Sequence, residues 1–517
     1  MKLPFTSEVP DLDRKTCERQ GIDSYELMNR AAGELARWFC SRITSRETRI
    51  TLFAGPGNNG GDALVLVRLL REKGYRNATA YLVPSPSGRL SGDCERAFRD
   101  AGEAAVMMTL STELPATGSD DWVVDALFGS GLNRPIEGIF GYMTDRINES
   151  EGTVVSIDVP SGLTGEEGVK GKCVQADYTL TFTHPKLSML FPEGGNYCGE
   201  VTVLDIGIDA EAIANSVSPY YIIEEREMAA LLKRRSRFSH KNDYGQALLV
   251  AGSRGMMGAA LLAARACMRS GVGLLTVHVP GCGYEILQQG CPEAKCETDT
   301  HPDHWKSLPD KEAGWDAIAV GPGLGQASET GQSLQELLRT AVRPMVIDAD
   351  ALNLIAAHPD RLTLLPRNSI LTPHPGEARR LLKAAGSRFS DWEAPPAETS
   401  LQLLRGLRML AQKLYVNIVF KGTYTAVIGA DGSVRFNYGH GHPGMAVGGS
   451  GDTLTGILLA LLAQHYEPKD AAALGVTLHN LAADAALDRE SEESFLPSDL
   501  ISHLGAAFKA IKRGINA

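Results

Sequence analysis

One stretch near the carboxyl-terminal end combines residue types that suit phosphoryl transfer. From Gly441 to Ala460 the sequence reads GHPGMAVGGSGDTLTGILLA, in which glycines precede one acid, Asp452, and an apolar run. Glycines let backbone N–H groups approach an anion, and a helix N-terminus favours negative charge. Asp452 would repel phosphate, so it suits the removal of a proton from an attacking hydroxyl group. Alternatively, Asp452 only stabilises the start of a helix.

Other strand ends in the second half carry residues that also suit phosphoryl transfer. GPGLG (321–325) and VIDADALN (346–353) each accompany a predicted strand, and TPHPGEARRLL (372–382) places His374 and Glu377 at a strand-to-helix turn. KGTYTAV (421–427) is typical of a strand end that meets a nucleotide. Each acid could also serve only as a helix cap, and a lone His is more often structural.

A second glycine loop, AGPGNNGGD (54–62), lies between a predicted strand and helix in the first half. It satisfies G-x-G-x-x-G, a pattern that lets backbone approach a pyrophosphate, although a plain tight turn also fits. No acid follows the next strand to hold a ribose, and no G-K-[ST] follows the loop. The loop therefore indicates a nucleotide site that is neither an ordinary hydride-transfer site nor a P-loop.

Asp125 and Asp158 end two later strands, where ligands bind in an open α/β sheet. Asp125 leads into ALFGSGLNRPIEG, and Asp158 stands three residues before Ser161. Each Asp alone could cap a turn, but their position beside glycine loops favours a site. Asn59, Asp125 and Ser161 are hard oxygen ligands that K⁺ or Mg²⁺ accepts.

Alternating strands and helices position these residues. Short β-branched runs at 49–54, 77–83, 121–127, 153–159 and 177–183 alternate with helical patterns, which predicts a parallel sheet covered by helices. The pattern breaks between 209 and 240 and resumes at 246–253. A series of 517 residues without a 20–50-residue repeat predicts two different α/β domains.

Composition excludes several classes of protein. The net charge of −11 argues against nucleic-acid binding, and the apolar runs are too short for a membrane helix. The first residues lack the apolar core of an export signal, and nine cysteines without a C-x-x-C pair are typical of reduced thiols. We expect a cytoplasmic protein without a membrane or nucleic-acid partner.

The motifs of the first half, AGPGNNGGDALV, DALFGSGLNRP, SIDVPSGL and FTHPK, resemble the epimerase domain of the NAD(P)H-hydrate repair family. The resemblance implies interconversion of the R and S forms of NADHX and NADPHX, the nicotinamide nucleotides hydrated at C6. It implies a potassium ion at Asn59, Asp125 and Ser161, and proton chemistry at Asp158 with Lys186 nearby. The implied ligand contacts are Asn58, Asn59, Gly60, Gly61, Asp62, Gly129, Ser130, Gly131, Leu132, Asn133, Arg134, Pro135 and Asp158.

GGSGDTLTG, with the other motifs of the second half in their order, resembles the ribokinase-like dehydratase branch of the same family. The resemblance implies that ADP, with Mg²⁺, phosphorylates the ring hydroxyl of the S-hydrate and that loss of phosphate restores NADH or NADPH and leaves AMP. The implied hydrate contacts are Ala259, Gly323, His374 and Asp452. The implied nucleotide contacts are Lys421, Gly422, Thr423, Tyr424, Thr425 and Gly451.

The predicted architecture is therefore two three-layer α/β/α domains, a Rossmann-like epimerase domain over 1–215 and a ribokinase-like dehydratase domain over 225–517. The resemblance also implies a homo-oligomer. Two residues depart from the family pattern: His442 replaces an asparagine, and Cys291 stands where a histidine is common. The alternatives are a vitamin or sugar kinase with an accessory first domain, and a first domain that only binds.

Overall fold

The chain divides into two units, Lys2–Ser218 and Pro219–Ala517, the second of which includes Met1. A computed structural model describes residues 1–85, 87–109, 111–309, 314–393 and 396–513. The predicted ranges, 1–215 and 225–517, lie on either side of this division. Each unit contains its own sheet and is described by itself.

The first unit contains a seven-stranded sheet, counted over the described residues, in which every neighbouring pair is parallel. Its strands are β1 (Ile50–Ala54), β2 (Ala78–Leu82), β3 (Ala105–Met107), β4 (Trp122–Ala126), β5 (Thr153–Ile157), β8 (Tyr178–Phe182) and β9 (Glu200–Leu204). The order is β3-β2-β1-β4-β5-β8-β9, so the strand order reverses between β1 and β4. A small antiparallel pair, β6 (Leu163–Thr164) and β7 (Gly168–Val169), lies outside this sheet.

Alternate residues of these strands belong to two hydrophobic clusters, which places helices on both faces of the sheet. Leu52 and Val124 pack in one cluster, and their chain neighbours Phe53 and Val123 pack in the other. The helices are α1 (Val9–Gln20), α2 (Ser24–Arg42), α3 (Asn58–Glu72), α4 (Gly92–Ala101), α5 (Gly138–Asn148), α6 (Pro192–Gly195) and α7 (Ala210–Ala214).

The second unit contains a ten-stranded sheet, again counted over the described residues. Its strands are β10 (Tyr220–Ile222), β11 (Gln246–Val250), β12 (Leu274–Val279), β13 (Lys295–Thr298), β14 (Ala317–Val320), β15 (Met345–Ile347), β16 (Ile370–Leu371), β17 (Asn417–Phe420), β18 (Ala426–Ile428) and β19 (Val434–Phe436). The order is β10-β19-β18-β17-β16-β15-β14-β11-β12-β13, and only β18 runs antiparallel to its neighbours. The order reverses between β14 and β11.

The most deeply buried helix of this unit is α15, because its GILLALLA run packs between other helices and the sheet. It contacts α9, α16 and β14. The helices are α8 (Glu225–Leu231), α9 (Met257–Arg269), α10 (Tyr284–Gly290), α11 (Ser328–Thr340), α12 (Ala349–Ala357), α13 (Pro375–Arg388), α14 (Ser400–Leu414), α15 (Ser450–Ala463), α16 (Pro468–Leu487) and α17 (Pro497–Arg513).

The predicted α/β class is confirmed, and each strand proposed from a β-branched run lies within the run that predicted it or overlaps it. The stretch 209–240, interpreted as a junction, contains α7, β10 and α8. Within the described ranges, no helix combines the length and apolar character that crossing a lipid bilayer requires.

Candidate active sites

A cavity of about 1040 Å³ opens in the first unit beyond the carboxyl ends of β1, β4, β5 and β8. This is the edge where the sheet reverses its order and where ligands bind in such folds. The predicted residues that line it are Asn58, Asn59, Asp62, Gly129, Ser130, Gly131, Leu132, Asn133, Arg134, Asp158 and Lys186. Gly60, Gly61 and Pro135, also predicted as ligand contacts, are not among its lining residues.

The first glycine loop makes a close turn between β1 and α3. A side chain at Gly55 would collide with the Leu127 carbonyl oxygen, and one at Gly60 would collide with the backbone of Gly55. These two glycines therefore serve packing between the loops. Gly57 is the N-cap of α3, so the free N–H groups of that helix begin at Asn58 beside the cavity.

Asp158 and Lys186 form a buried ion pair at the cavity wall, with 2.8 Å between Oδ1 and Nζ. Asp158 also accepts a hydrogen bond from the Ser130 backbone N–H at 2.9 Å. Burial acts to raise the pKa of Asp158, but Lys186 and these hydrogen bonds outweigh it and hold the pKa below its usual range. Asp158 is therefore a carboxylate, and its backbone has a φ of 65°, in the left-handed region.

Asp62 and Asp13 are two of the other carboxyl groups that line this cavity, and both are harder to ionise. Burial, reinforced by Asp158 and Asp13, raises the pKa of Asp62 well above its ordinary value. Burial, reinforced by Asp158, raises the pKa of Asp13 to about 6. Asp13 lies on α1 and was missed from the sequence. The available signal was an acid on the same helix face as Val9 and Cys17, at a spacing of four residues.

Of the three residues predicted to hold a cation, Asn59 lines the cavity, and Asp125 and Ser161 lie behind it. Asp125 is fully buried, and its Oδ1 accepts a hydrogen bond from the Ser161 hydroxyl at 2.6 Å. The Phe128 N–H donates to that hydroxyl at 2.9 Å, and the next residue, Gly129, lies against Asn59. Both polar atoms of the Asn59 side chain are buried without a hydrogen-bond partner. A buried amide oxygen without a hydrogen-bond partner is available to a cation. Together with the side-chain oxygens of Asp125 and Ser161, it forms a donor set that fits K⁺.

The second unit has a cavity of about 470 Å³ at its own reversal point, between the loops after β11 and β14. Of the residues predicted to contact the hydrate, Ala259, Gly323 and Asp452 line it. Glu377 lines it too, and His374 caps α13 beside Glu377 without reaching the lining. Other lining residues include Asp350 and Asn353.

Asp452 lies in the first turn of α15 and faces this cavity. Burial raises its pKa to about 7, with Asp348 adding to the rise and Lys421 opposing it. A carboxyl group with a pKa near the working pH suits a general base. Gly449, the N-cap of α15, has a φ of 102°, so the left-handed turn before the helix favours glycine.

Lys421 is held beside the start of the same helix. Its Nζ donates to Asp348 Oδ1 at 2.9 Å, and Thr455 on α15 donates to Asp348 Oδ2 at 2.8 Å. A Cβ at Gly451 would lie 3.4 Å from Lys421 Nζ. The structure therefore brings together two predicted nucleotide contacts, Lys421 and Gly451. Asp348, in the VIDADALN run whose acids the sequence left open as site residues or helix caps, connects Lys421 to α15.

The other predicted nucleotide contacts form one turn after β17. Thr425 Oγ1 donates to the Gly422 carbonyl at 3.1 Å, and the Tyr424 ring lies 5.1 Å from that of Tyr438. A side chain at Gly441 would collide with the Thr423 carbonyl oxygen. The glycine stretch and this turn are therefore neighbours in space.

The two departures from the family pattern have structural explanations. His442 accepts a hydrogen bond from the Gly444 N–H through Nδ1 at 3.3 Å, a capping role that asparagine also fills. Its Nε2 lies 3.4 Å from Glu492. Cys291 is buried in the hydrophobic core.

The second unit was expected to use Mg²⁺ together with its nucleotide. Among the described residues, no three His, Cys, Asp or Glu side chains are grouped so that they could hold a metal ion. Mg²⁺ commonly binds through one or two carboxylates together with substrate phosphates. The carboxylates of this cavity fit Mg²⁺ in that form.

Similar proteins cover both units. Residues 247–505 match the family described as NAD(P)H-hydrate dehydratase, and residues 24–188 match YjeF-related protein N-terminus. The bifunctional NAD(P)H-hydrate repair enzyme Nnr of Thermofilum pendens is 34% identical over 99% of this chain and 97% of its own length. The enzyme of that name from Coxiella burnetii is 35% identical over 96% of this chain and 97% of its own.

Among solved structures, the ADP/ATP-dependent NAD(P)H-hydrate dehydratase from Bacillus subtilis co-crystallized with ATP/Mg²⁺ is similar to the second unit. It is 32% identical, and the match covers 56% of this chain and 98% of that chain with a TM-score of 0.48.

Proposed function

Because this chain belongs to the family of bifunctional NAD(P)H-hydrate repair enzymes, we propose that its first cavity is the epimerase site and its second the dehydratase site. The chain is an enzyme with an epimerase domain and a dehydratase domain, as the sequence resemblance predicted. The residues that act in each domain, the nucleotide consumed and the ions required are our proposals.

In the first site, the substrate is a nicotinamide ring whose C6 carries a hydroxyl group and is bonded to N1. Loss of that hydroxyl leaves a planar C=N⁺ centre, and water then adds to either face. Asp158 is a carboxylate beside the cavity, so it suits the acceptance of the proton from the adding water. The N-terminus of α3 at Asn58 suits the pyrophosphate of the substrate.

Asn59, Asp125 and Ser161 would hold K⁺ behind this cavity. The ion supplies positive charge near the N-terminus of α3, which favours an anionic ligand. The chain's own residues carry the proton transfer, and Lys186 keeps Asp158 ionised.

In the second site, Asp452 takes the proton of the C6 hydroxyl as that oxygen attacks the β-phosphorus of ADP. The bond from that phosphorus to AMP breaks, and the N–H groups at the start of α15 stabilise the charge on the transferred group. Lys421, the 422–425 turn and Gly451 bind the nucleotide. Mg²⁺, when bound with the phosphates, neutralises charge on them. Elimination of phosphate from the product then yields NADH or NADPH.

The observation that supports this assignment most strongly is the position of Asp452. It lies in the cavity with Ala259 and Gly323, at the start of a helix whose Gly451 is adjacent to Lys421. An acid that faces the cavity and lies one residue from Gly451, beside Lys421, suits proton removal during phosphoryl transfer.

The test is incubation of the full chain with a mixture of R- and S-hydrates and ADP, with ATP in a parallel reaction, followed by chromatography. We expect both hydrates to disappear, reduced nicotinamide absorbance to return, and AMP and phosphate to accumulate with ADP. A stable phosphorylated hydrate would contradict the dehydratase assignment and favour an ordinary kinase.

The epimerase assignment needs R-hydrate alone. We expect the wild-type chain to convert R-hydrate to S-hydrate without nucleotide, and Asp158→Ala to lose this conversion while it still dehydrates S-hydrate with ADP. Unchanged consumption of R-hydrate by Asp158→Ala would mean that the first cavity is not organised as proposed.

Two further predictions concern the protein outside its sites. The family resemblance implies a homo-oligomer, which analytical ultracentrifugation of the full chain measures. A cytoplasmic location is tested by fractionation of cells that express the chain at its natural level.

A further inference from the structure

Helix α1, which is not one of the strand-end loops, contributes the acidic side chain of Asp13 to the first cavity. Asp13 lines this cavity with Val9 and Cys17, which lie four residues before and after it on the same face of α1. Asp158 and Lys186 reach the cavity from the region of β5 and β8. The cavity is therefore supplied with carboxyl groups from two different parts of the fold.

The neighbours of Asp13 on α1 form ion pairs, whereas Asp13 forms no ion pair or hydrogen bond with any side chain that the structure describes. Asp11 forms ion pairs with Arg14 and Lys15, and Arg14 also pairs with Glu18 at 2.7 Å. Within the described part of the chain, Asp13 forms no such contact, although it is partly buried. A half-buried carboxyl group without a partner destabilises a protein, so its presence indicates a ligand contact.

We propose that Asp13 is the general acid of the first reaction and donates a proton to the hydroxyl group that leaves C6 of the hydrate. The inference rests on the proposed epimerase function of this cavity. It adds the acid that this function requires, because Asp158, as a carboxylate, can only accept a proton.

The step is balanced without an oxidant or a further reactant. Asp13 gives its proton to the C6 hydroxyl, the C6–O bond breaks, water leaves, and the N1 lone pair forms the C6=N1 bond. A water molecule then forms a C6–O bond on the other face and gives a proton to Asp158. The solvent returns a proton to Asp13 and removes one from Asp158, which restores both groups.

The charges in the cavity support the assignment of Asp13 as the proton donor and Asp158 as the proton acceptor. Burial raises the pKa of Asp13 to about 6, and the ion pair with Lys186 holds that of Asp158 below its usual range. Between these values Asp13 keeps its proton while Asp158 is ionised, the arrangement that acid–base pairs of carboxyl groups use. The other titratable side chains that line the cavity are Arg14, Cys17, Glu18, Asp62, Asp93, Arg134, His184 and Lys186.

The test compares Asp13→Asn, Asp13→Glu and the wild-type full chain with R-hydrate and K⁺, without nucleotide, after subtraction of the uncatalysed rate. We expect Asp13→Asn to lower kcat by about 100-fold or more with little change in KM. Asp13→Glu, which keeps an acid, should recover part of the rate. Asp11→Asn, on the exposed side of the same helix, is the matched control and should match the wild type.

The pH profile separates catalysis from a structural role. In the wild type, kcat/KM should fall as the pH rises through about 6, because Asp13 then loses its proton, and this decline should be absent in Asp13→Asn. Dehydration of S-hydrate with ADP should be unchanged in every variant, which shows that the second unit is intact, and thermal unfolding followed by circular dichroism checks that the first unit is folded.

Several results would overturn the inference while leaving the epimerase function intact. They are an unchanged kcat in Asp13→Asn, a defect confined to KM, or a wild-type profile without the decline near pH 6. The last of these applies even if Asp13→Asn fails to fold. A wild-type chain that does not accelerate R-hydrate conversion at all would instead contradict the proposed function itself.

Discussion

Both candidate sites contain a buried lysine–aspartate pair, but the aspartate that faces the cavity differs between them. In the first site, Lys186 lies 2.8 Å from Asp158, and Asp158 itself lines the cavity. In the second, Lys421 lies 2.9 Å from Asp348, which is not among the lining residues. Asp452 faces the cavity and has no salt-bridge partner among the residues that the structure describes. The same two residue types therefore produce different chemical environments.

The consequence is a difference in protonation. Lys186 keeps Asp158 ionised despite its burial, whereas burial raises the pKa of Asp452 to about 7. The first carboxylate is available as a base over the whole neutral range, and the second becomes a base only when the pH rises through about 7. Pairing, more than residue type, therefore sets the protonation state of the aspartate that faces each cavity.

The largest expected effect is that of Asp452→Asn, which removes the unpaired acid. Dehydration of S-hydrate should fall by about 1,000-fold or more in kcat, because an amide cannot accept the hydroxyl proton. Binding of ADP, measured by calorimetry, and conversion of R-hydrate should be unchanged. Asp470→Asn, at the start of α16, is the matched control and should keep full activity. Undiminished turnover of Asp452→Asn would remove the proposed base from the second site.

Lys186→Met tests the paired site. The loss of the ammonium should raise the pKa of the buried Asp158, so conversion of R-hydrate near pH 7 should fall by about 10- to 100-fold. Measured relative to the wild type at the same pH, part of the rate should return at higher pH, where Asp158 ionises again. Lys172→Met, which removes an exposed lysine paired with Asp145, should have no effect. A rate loss that is independent of pH would contradict the role given to the pair.

The third-largest expected effect is the pH dependence of dehydration by the wild-type chain. Because the pKa of Asp452 is raised to about 7, its base form is lost as the pH falls through that value. We expect kcat/KM for S-hydrate to fall about tenfold per pH unit below 7 and to be level above it. A profile that is level down to pH 5 would show that Asp452 is not the titrating group.

The smallest expected effect concerns K⁺ in the first site. Asn59→Ala should raise the K⁺ concentration needed for half-maximal conversion of R-hydrate by about tenfold, because it removes an oxygen ligand. Dehydration should not respond. Asn77→Ala, an exposed asparagine that donates to the Glu47 carbonyl, is the control. Equal K⁺ responses in Asn59→Ala and the wild type would exclude Asn59 as a ligand.

The central strands were predictable because parallel strands buried on both faces form nearly continuous apolar runs rich in Val, Ile and Leu. TVVSI and QALLV are such runs, and each became a strand next to the reversal point of its sheet or one strand away from it. β3, β10, β18 and β19, with three residues each, were not proposed from the sequence. Three residues are too few to show periodicity, and these strands form only because a neighbouring edge is available.

The site residues also divide into those that the sequence predicted and those that only the structure revealed. The glycine loops and the acids at strand ends were predicted because the fold requires them at fixed places in the chain, and most of the predicted residues line the two cavities. Asp13 was missed because it lies on a helix far from any motif. The sequence left Asp348 open as a site residue or a helix cap, because its partner Lys421 is 73 residues away.

The sequence by itself determined the family, the α/β class, the order of the loops and the identity of the acids. Only the tertiary structure decided which acid is paired, which is free, and therefore which carries a proton near neutral pH. The physical reason is that loops and strand ends are encoded locally. The pKa of Asp452 near 7 and the ionised state of Asp158 depend on burial and on lysines that the fold brings within 3 Å of one aspartate and not of another.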